Sequence, residues 1–277
     1  MPYLTHPSGQ KTFYYDDCFA NPWEPTETIF VHHGFGRNSN FWFQWVPVLA
    51  KKFRVIRRDA LGHGYSSPPP NANTPKDVDA VLDDIIDTLD QLGIEKVHYL
   101  GESTGGIFGD FLAARNPERL HSLTICGSPL AFGKAGQDLL SFGRSPITSA
   151  IRELGLRQWG DECFRVLGTG IGKGLPDEFK VWWLEQFCIP SVEGVCAYAE
   201  VICRKDFDAN LVIDKIKVPM LLLSPSDSPL VNVDDQMRFA NIVGGQLELI
   251  QTKSHEIYLD EAEVCQNRYL KFLESLQ

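Results

Sequence analysis

The clearest indication of the fold is the segment Val97-His98-Tyr99-Leu100-Gly101-Glu102-Ser103-Thr104-Gly105-Gly106. The apolar run from Val97 to Leu100 predicts a short buried strand, and apolar residues with helical spacing follow Gly106. A strand, a G-x-S-x-G turn and a helix in this order are typical of a nucleophile elbow. Its glycines permit a very tight turn, and its serine hydroxyl projects beside a helix N-terminus that favours negative charge. The sequence therefore predicts Ser103 as a nucleophile, provided that its partners are present.

The composition of the chain is that of a globular protein and disfavours several classes of partner. The chain has 277 residues, of which 43% are hydrophobic and 22% charged, so it can bury a substantial core. Its net charge of −10 disfavours nucleic acid and anionic membranes as partners. No apolar run approaches the ~18 residues of a membrane span. With no visible secretory signal and seven cysteines without C-x-x-C pairs, we expect reduced thiols and a cytoplasmic location.

The order of the predicted elements indicates an α/β fold. Strands alternate with helices up to about residue 128 and again after about residue 212, which predicts a doubly wound, mostly parallel sheet. Between these segments we find helical patterns and no convincing strand. The expected organisation is a core domain of residues 1–128 and 212–277, with residues 129–211 inserted as a helical cap.

Several motifs together resemble the α/β-hydrolase fold superfamily, and in particular its cap-bearing serine hydrolases of the esterase or lactonase type. They are His33-Gly34-Phe35-Gly36, Asp59-Ala60-Leu61-Gly62-His63-Gly64-Tyr65-Ser66, Gly101-Glu102-Ser103-Thr104-Gly105-Gly106, Asp227 and Ser254-His255. The resemblance covers nearly the whole chain. It is specific for the superfamily but a poor guide to the substrate, because this fold hosts many chemistries.

A serine nucleophile needs a base, and the base needs a group that orients it. In this fold the order along the chain is Ser, then Asp or Glu, then His. Of the two histidines after Ser103, His121 leads into a strand and has a structural interpretation, whereas His255 lies where the family places its base. Asp227 follows a buried strand at its carboxyl end, so we predict it as the acid. Other acids at that end of the chain have the pattern of solvated or capping helix residues: Asp234, Asp235 and Asp260.

The resemblance implies an oxyanion hole formed by the backbone N–H groups of Phe35 and Thr104. Three histidines suggest a metal site, but they lack an accompanying set of carboxylate or thiolate ligands: His32, His33 and His63. We therefore expect no metal and no cofactor. Glu102 has the position of a packing residue beside the nucleophile, with an influence on His255 as the alternative.

Most aromatic residues of the predicted cap are expected to pack within it, because a stripe at helical spacing ordinarily faces a core. Some must nevertheless face Ser103, which predicts an apolar or aromatic substrate pocket. The candidates for substrate binding are Trp182, Trp183 and Phe132. Adjacent helical residues point about 100° apart, so at most one of the two tryptophans should face the pocket.

The leading hypothesis is a serine hydrolase that cleaves an ester or lactone of a small molecule through an acyl-enzyme. One alternative is hydrolysis of a carbon–carbon bond in a vinylogous diketone, although members of that group usually place Trp after the histidine, where this chain has Glu256. Another is a ligand receptor that retains the triad. Epoxide hydrolases and dehalogenases need a carboxylate nucleophile, which Ser103 argues against. The sequence does not determine the oligomeric state and is compatible with a homo-oligomer.

Overall fold

The structure is a computed structural model that describes residues 2–68, 77–170 and 176–277. Within these ranges, eight strands form one sheet in the order β1-β2-β4-β3-β5-β6-β7-β8. Strands β1 and β2 pair antiparallel with their neighbours, and all other pairs are parallel. The strands are β1 Tyr3–Thr5, β2 Lys11–Asp17, β3 Thr28–His32, β4 Arg54–Arg58, β5 Val97–Glu102, β6 Leu120–Cys126, β7 Met220–Pro225 and β8 Gln246–Ile250.

Ten α-helices lie in the described parts of the chain. Six belong to the alternating pattern: α1 Val46–Leu49, α2 Val78–Gln91, α3 Thr104–Arg115, α8 Val233–Val243, α9 Ile257–Asp260 and α10 Ala262–Glu274. The other four are α4 Lys134–Ser141, α5 Ile147–Val166, α6 Asp177–Phe187 and α7 Val192–Ile202. They follow one another between β6 and β7, and we refer to residues 134–202 as the helical insertion. None of the helices in the described ranges is both long and apolar enough to cross a membrane.

The core lies around the central strands of the sheet. Every residue of β3, β5 and β7 is buried, which is typical of parallel strands covered by helices on both faces. Helix α2 contributes one apolar face, and the Asp77 carboxylate caps its start by accepting from the Ala80 N–H at 3.0 Å. The predicted fold class, a mostly parallel doubly wound sheet with inserted helices, is confirmed.

The helical insertion packs closely on the loop that follows β4. Gly62 in that loop and Gly194 in α7 approach backbone to backbone, so that a Cβ at Gly62 would collide with the Gly194 carbonyl oxygen. A Cβ at Gly194 would lie 2.9 Å from the Gly62 carbonyl oxygen. Within the insertion, α5 is interrupted at Gly155, whose φ of 68° and ψ of 164° are not helical.

The contact between Gly62 and Gly194 can be tested by a substitution whose effect on stability has a predictable direction. Replacing a helical glycine by alanine ordinarily stabilises a helix by up to ~1 kcal/mol. At Gly194 the added methyl group has to displace the Gly62 backbone, at a cost of ~1–3 kcal/mol. Gly194→Ala should therefore lower the melting temperature. Gly133→Ala is the control: Gly133 lies just before α4 and a Cβ there meets no atom within 4 Å, so the loss in melting temperature should be limited to the small effect of alanine at a helix start and be smaller than that of Gly194→Ala. A higher melting temperature for Gly194→Ala would show that the two backbones are not in contact.

Candidate active site

Ser103 occupies a strained turn between β5 and α3. Its φ of 51° and ψ of −122° are values that non-glycine residues rarely adopt. The flanking glycines make the turn possible: a Cβ at Gly101 would lie 2.6 Å from the Gly105 carbonyl oxygen. A Cβ at Gly105 would collide with the carbonyl oxygen of His32 at the end of β3. The strand, turn and helix predicted around Ser103 are therefore present, and the turn brings Ser103 to the carboxyl end of the sheet.

The structure brings Ser103 and His255 together. The Ser103 Oγ atom lies 3.0 Å from His255 Nε2, within hydrogen-bonding distance. Both residues are buried, with exposed fractions of 8% and 2%. His255 follows β8 after a short loop, and its backbone N–H donates to the Leu167 carbonyl oxygen at 2.9 Å. The end of α5 thereby helps to hold the histidine in place.

The His255 ring is neutral at ordinary pH. Burial, with a further contribution from the positive charge of Arg37, lowers the pKa of His255 to about 3. A neutral imidazole can accept the Ser103 proton at Nε2 only when its other nitrogen, Nδ1, carries the hydrogen. In the part of the chain that the structure describes, the group within hydrogen-bonding reach of Nδ1 is the Ser228 hydroxyl, at 3.3 Å. That hydroxyl oxygen also accepts from the Leu230 N–H at 3.2 Å.

The predicted contact between Asp227 and His255 is wrong. The Asp227 side chain is 71% exposed, and its carboxylate lies 3.9 Å from the exposed Lys253 ammonium. The chain bends at residues 226 and 227, directly after β7, and the Asp227 N–H donates to the Thr252 carbonyl oxygen at 3.2 Å. Asp227 therefore faces solvent, and the next residue, Ser228, faces the histidine.

The loop that contains Phe35 lies against the nucleophile. A Cβ at Gly34 would lie 2.8 Å from the Ser103 Cβ, so only glycine permits this approach. The Gly34 N–H donates to Glu102 Oε2 at 2.6 Å, and the Gly36 N–H donates to His63 Nε2 at 3.0 Å. By contrast, the N–H groups of Phe35 and Thr104 find no hydrogen-bond partner within the described residues.

The three other histidines near this site support its loops. His33 Nε2 accepts from the Ala60 N–H at 2.8 Å, and His33 Nδ1 donates to the Gly34 carbonyl oxygen at 2.8 Å. The His32 Nδ1 atom lies 2.6 Å from the Tyr99 hydroxyl, which in turn donates to Gly105. Burial lowers the pKa of all three rings, that of His63 to about 4. Neutral rings with backbone partners hold the Phe35 loop and the elbow in fixed positions.

A buried cluster of charges lies next to His255. Arg37 forms an ion pair with Glu256, which also accepts from the Thr169 hydroxyl and, at 3.0 Å, from Trp183 Nε1. The Arg37 guanidinium lies over the Trp183 ring, 4.5 Å from its centroid. Burial raises the pKa of Glu102 to about 7; Arg37 opposes this effect, and Glu256 adds to it. Sequence reasoning missed Arg37, because a lone arginine after a glycine-rich loop carries no pattern of its own.

The three predicted substrate-binding residues have different surroundings. Phe132 is buried and its ring centroid lies 6.2 Å from that of Phe35. Trp183 is buried in the charge cluster described above, against Arg37 and Phe187. Trp182 lines an outer groove of about 770 Å³ together with Tyr15, Phe43 and Phe179, and Ser103 is not among the lining residues. The structure therefore corrects the prediction for Trp182, because α6 turns this side chain toward the surface.

Two further aromatic residues of the helical insertion pack on Phe35. The ring centroids of Trp159 and Phe35 are 5.4 Å apart, and Tyr198 stacks on Phe35 at 6.2 Å with an interplanar angle of 11°. Tyr198 also contacts His63, at 4.6 Å between ring centroids. The Tyr198 hydroxyl is buried, and its side chain interacts with that of Thr104. The sequence placed Trp159 and Tyr198 among the aromatic residues of the cap but did not single them out.

Known proteins share the fold of this chain. A family model described as "alpha/beta hydrolase fold" matches residues 27–262. The chain is 27% identical over 234 residues to 3-oxoadipate enol-lactonase 2 of Acinetobacter baylyi, an alignment that covers 80% of each protein. A shorter stretch of 103 residues is 41% identical to 2-hydroxymuconate semialdehyde hydrolase of Pseudomonas sp. and covers 36% of each. Among solved structures, the enol-lactonase from Burkholderia xenovorans LB400 superimposes with a TM-score of 0.86 at 22% identity, covering 99% of this chain and 100% of that one.

The raised pKa of Glu102 gives a pH-dependent prediction. In the unfolded chain a glutamate ionises near pH 4.3, whereas in the folded protein Glu102 holds its proton up to about pH 7. The stabilisation associated with this proton is present below about pH 4.3 and is lost as the pH rises through about 7. Glutamine cannot ionise, so Glu102→Gln should stabilise the protein more at pH 8 than at pH 5. The gain in the free energy of unfolding should be up to about 3 kcal/mol larger at pH 8, and the melting temperature should rise accordingly. Equal shifts at both pH values would contradict the assignment.

Proposed function

The chain belongs to the α/β-hydrolase fold family of hydrolases, and from that premise we propose that it cleaves an ester or lactone of a small, largely apolar or aromatic substrate through an acyl-enzyme. The observation that carries the proposal is the 3.0 Å contact between Ser103 Oγ and His255 Nε2 inside a buried site. A serine hydroxyl is a weak nucleophile by itself, and a neutral imidazole at this distance can remove its proton as attack proceeds.

In the acylation step, Ser103 Oγ bonds to the carbonyl carbon of the substrate and its proton passes to His255 Nε2. The bond between the carbonyl carbon and the leaving oxygen then breaks, and His255 returns the proton to that oxygen. In the second step a water molecule replaces the serine: His255 takes its proton, the hydroxide attacks the acyl carbon, and Ser103 recovers its hydrogen. The acid product then leaves, and the chain is unchanged. The alcohol of an ester has already left after the first step, whereas a lactone gives a single hydroxy acid.

The negative charge that develops on the carbonyl oxygen needs donors. We assign this role to the backbone N–H groups of Phe35 and Thr104, as the family resemblance implies. Both N–H groups are unpaired within the described residues, whereas the N–H groups on either side of Phe35 donate to Glu102 and His63. Thr104 is also the first residue of α3, so the partial positive charge of the helix N-terminus acts at the same point.

We further propose that residues 129–211 act as a cap over the site. Contacts made by residues in this range support the proposal: Phe132, Trp159 and Tyr198 pack around Phe35, and Leu167 accepts from the His255 backbone. A wall of this kind is apolar, which suits an apolar or aromatic acyl or alcohol group.

Hydrolysis of a carbon–carbon bond remains a second candidate, because of the 41% identity over 103 residues to 2-hydroxymuconate semialdehyde hydrolase. Turnover of a dienone acid without turnover of any ester or lactone would favour it. A ligand receptor with the same residues would bind such compounds without releasing product, so product formation separates it from both enzymes.

The nucleophile can be tested directly with a fluorophosphonate probe, which bonds to activated serines. Wild type should be labelled at Ser103, and Ser103→Ala should not be labelled. His255→Ala should keep the fold and lose about 10⁴–10⁶-fold in kcat on an aryl ester, because nucleophile and base act as one unit. Labelling of Ser103→Ala at another serine would refute the assignment.

The apolar wall can be tested by substrate selectivity. Phe132→Ala removes a ring next to Phe35 and should change the ratio of kcat/KM between bulky and small aryl esters by about 10–100-fold, the effect of ~1–3 kcal/mol in an apolar pocket. Trp182→Ala is the matched control, because its ring lines the outer groove, and should leave the ratio unchanged. The opposite result would place the substrate in the outer groove.

A further inference from the structure

The position that should hold an acid is taken by a neutral side chain. Across the described residues, the Ser228 hydroxyl is the hydrogen-bond partner of His255 Nδ1, at 3.3 Å. The carboxylate next to it in sequence, Asp227, points into solvent toward Lys253. From this geometry we infer that Ser228 is the positioning residue of His255 and that its neutral hydroxyl restricts the site to esters and lactones with an acidic leaving group, such as an enol or a phenol. The inference rests on the proposed function and narrows its substrate class.

The hydrogen bonds of Ser228 fix the state of the histidine ring. The Ser228 oxygen has two lone pairs, and one of them accepts from the Leu230 N–H at 3.2 Å. The other is free to accept from His255 Nδ1–H. This bond orients the ring so that the unprotonated Nε2 faces Ser103. A serine can therefore set the tautomer as an aspartate does, but it supplies no negative charge.

The missing charge affects the imidazolium that forms when Ser103 loses its proton. Several charged side chains lie around His255 or on the loops beside it. They are Arg37 after β3, Glu102 of β5, Asp227 and Lys253 on exposed loops, and Glu256 and Asp260, which follow His255 in the chain. Glu256 is paired with Arg37, and Asp260 accepts from the Gly170 N–H at 3.0 Å. Arg37 disfavours a second positive charge on His255.

A histidine base without an anionic partner reacts with some esters faster than with others. An imidazolium without an anionic partner is costly to form, so the attacked carbonyl must be strongly electrophilic. Once formed, the same imidazolium is a strong acid and readily protonates the leaving oxygen. Enol and aryl esters meet the first requirement, because their oxygen withdraws electrons and leaves as a stabilised anion. Alkyl esters do not, and we expect them to react slowly.

The test uses four variants and two readouts. Ser228→Ala removes the hydroxyl, Ser228→Thr keeps it, Ser228→Asp adds the absent charge, and Asp227→Asn removes the neighbouring carboxylate. The first readout is the titration of His255 by NMR of the protein labelled with ¹⁵N at histidine, with the His255 signal identified by its loss in His255→Gln. The second is kcat/KM for phenyl acetate and ethyl acetate from pH 5 to pH 9. Glu102→Gln is included so that an inflection due to Glu102, near pH 7, is recognised.

In wild type, His255 should stay neutral down to pH 5. Protonation of His255 should therefore cause no loss of kcat/KM between pH 9 and pH 5. In Ser228→Asp the carboxylate should raise the pKa of His255, so that activity falls as the pH drops through the new value, between 5 and 8. The ratio of kcat/KM for phenyl to ethyl acetate should fall about 10-fold. Ser228→Ala should lose about 10-fold in kcat, Ser228→Thr should restore it, and Asp227→Asn should change kcat less than 2-fold.

Two outcomes would overturn the inference. One is a wild-type His255 that titrates between pH 6 and 7.5 and shifts to lower pH in Asp227→Asn, which would identify Asp227 as its partner. The other is an unchanged His255 titration in Ser228→Asp. If neither ester is hydrolysed by any variant, the proposed function fails, whereas the NMR titration still decides whether Ser228 or Asp227 acts on the histidine. If Ser228→Asp fails to fold, Ser228→Ala and Ser228→Thr decide through their kcat values.

Discussion

The site depends on a contact between two stretches of backbone. Gly105, at the start of α3, lies so close to the His32 carbonyl oxygen at the end of β3 that no side chain fits between them. The contact sets the angle at which α3 leaves β5, and it holds Ser103 at a φ of 51°. The Tyr99 hydroxyl spans the same corner, because it bonds to both His32 and Gly105. The strained backbone conformation of Ser103 is thus maintained by closely packed residues on both sides of the turn.

A second constraint lies behind the histidine. The Arg37–Glu256 pair is fully buried and shares its hydrogen bonds with Trp183 of α6 and Thr169. Burying two charges is costly, and such a pair contributes little net stability compared with apolar residues of similar volume. Its geometric effect is clearer: it links the loop after β3, the segment after His255 and the helical insertion at one point. His255 is therefore held by groups that do not take part in the reaction.

The sequence predicted the elements that depend on local chemistry. The elbow could be recognised because glycines flank Ser103 at Gly101 and Gly105, where no side chain fits, and His255 because two histidines alone follow Ser103. The contact of Asp227 was mispredicted because the direction of its side chain depends on the bend after β7, and hydrogen bonds to a distant part of the chain, the end of β8 and the loop after it, hold that bend. The orientation of Trp182 depends in the same way on how α6 packs, since Phe41 and Phe43 from another segment contact its ring.

The proposed reaction requires that Ser103 forms a covalent acyl intermediate with the substrate. This intermediate can be trapped by mixing the protein with an excess of an aryl ester, quenching in acid within milliseconds, and mapping the added mass by peptide mass spectrometry. Wild type should carry an acyl group on the peptide that contains Ser103, and Ser103→Ala should carry none on the same peptide. An acyl group on any other residue, or product release with no acylated protein at any quench time, would contradict it.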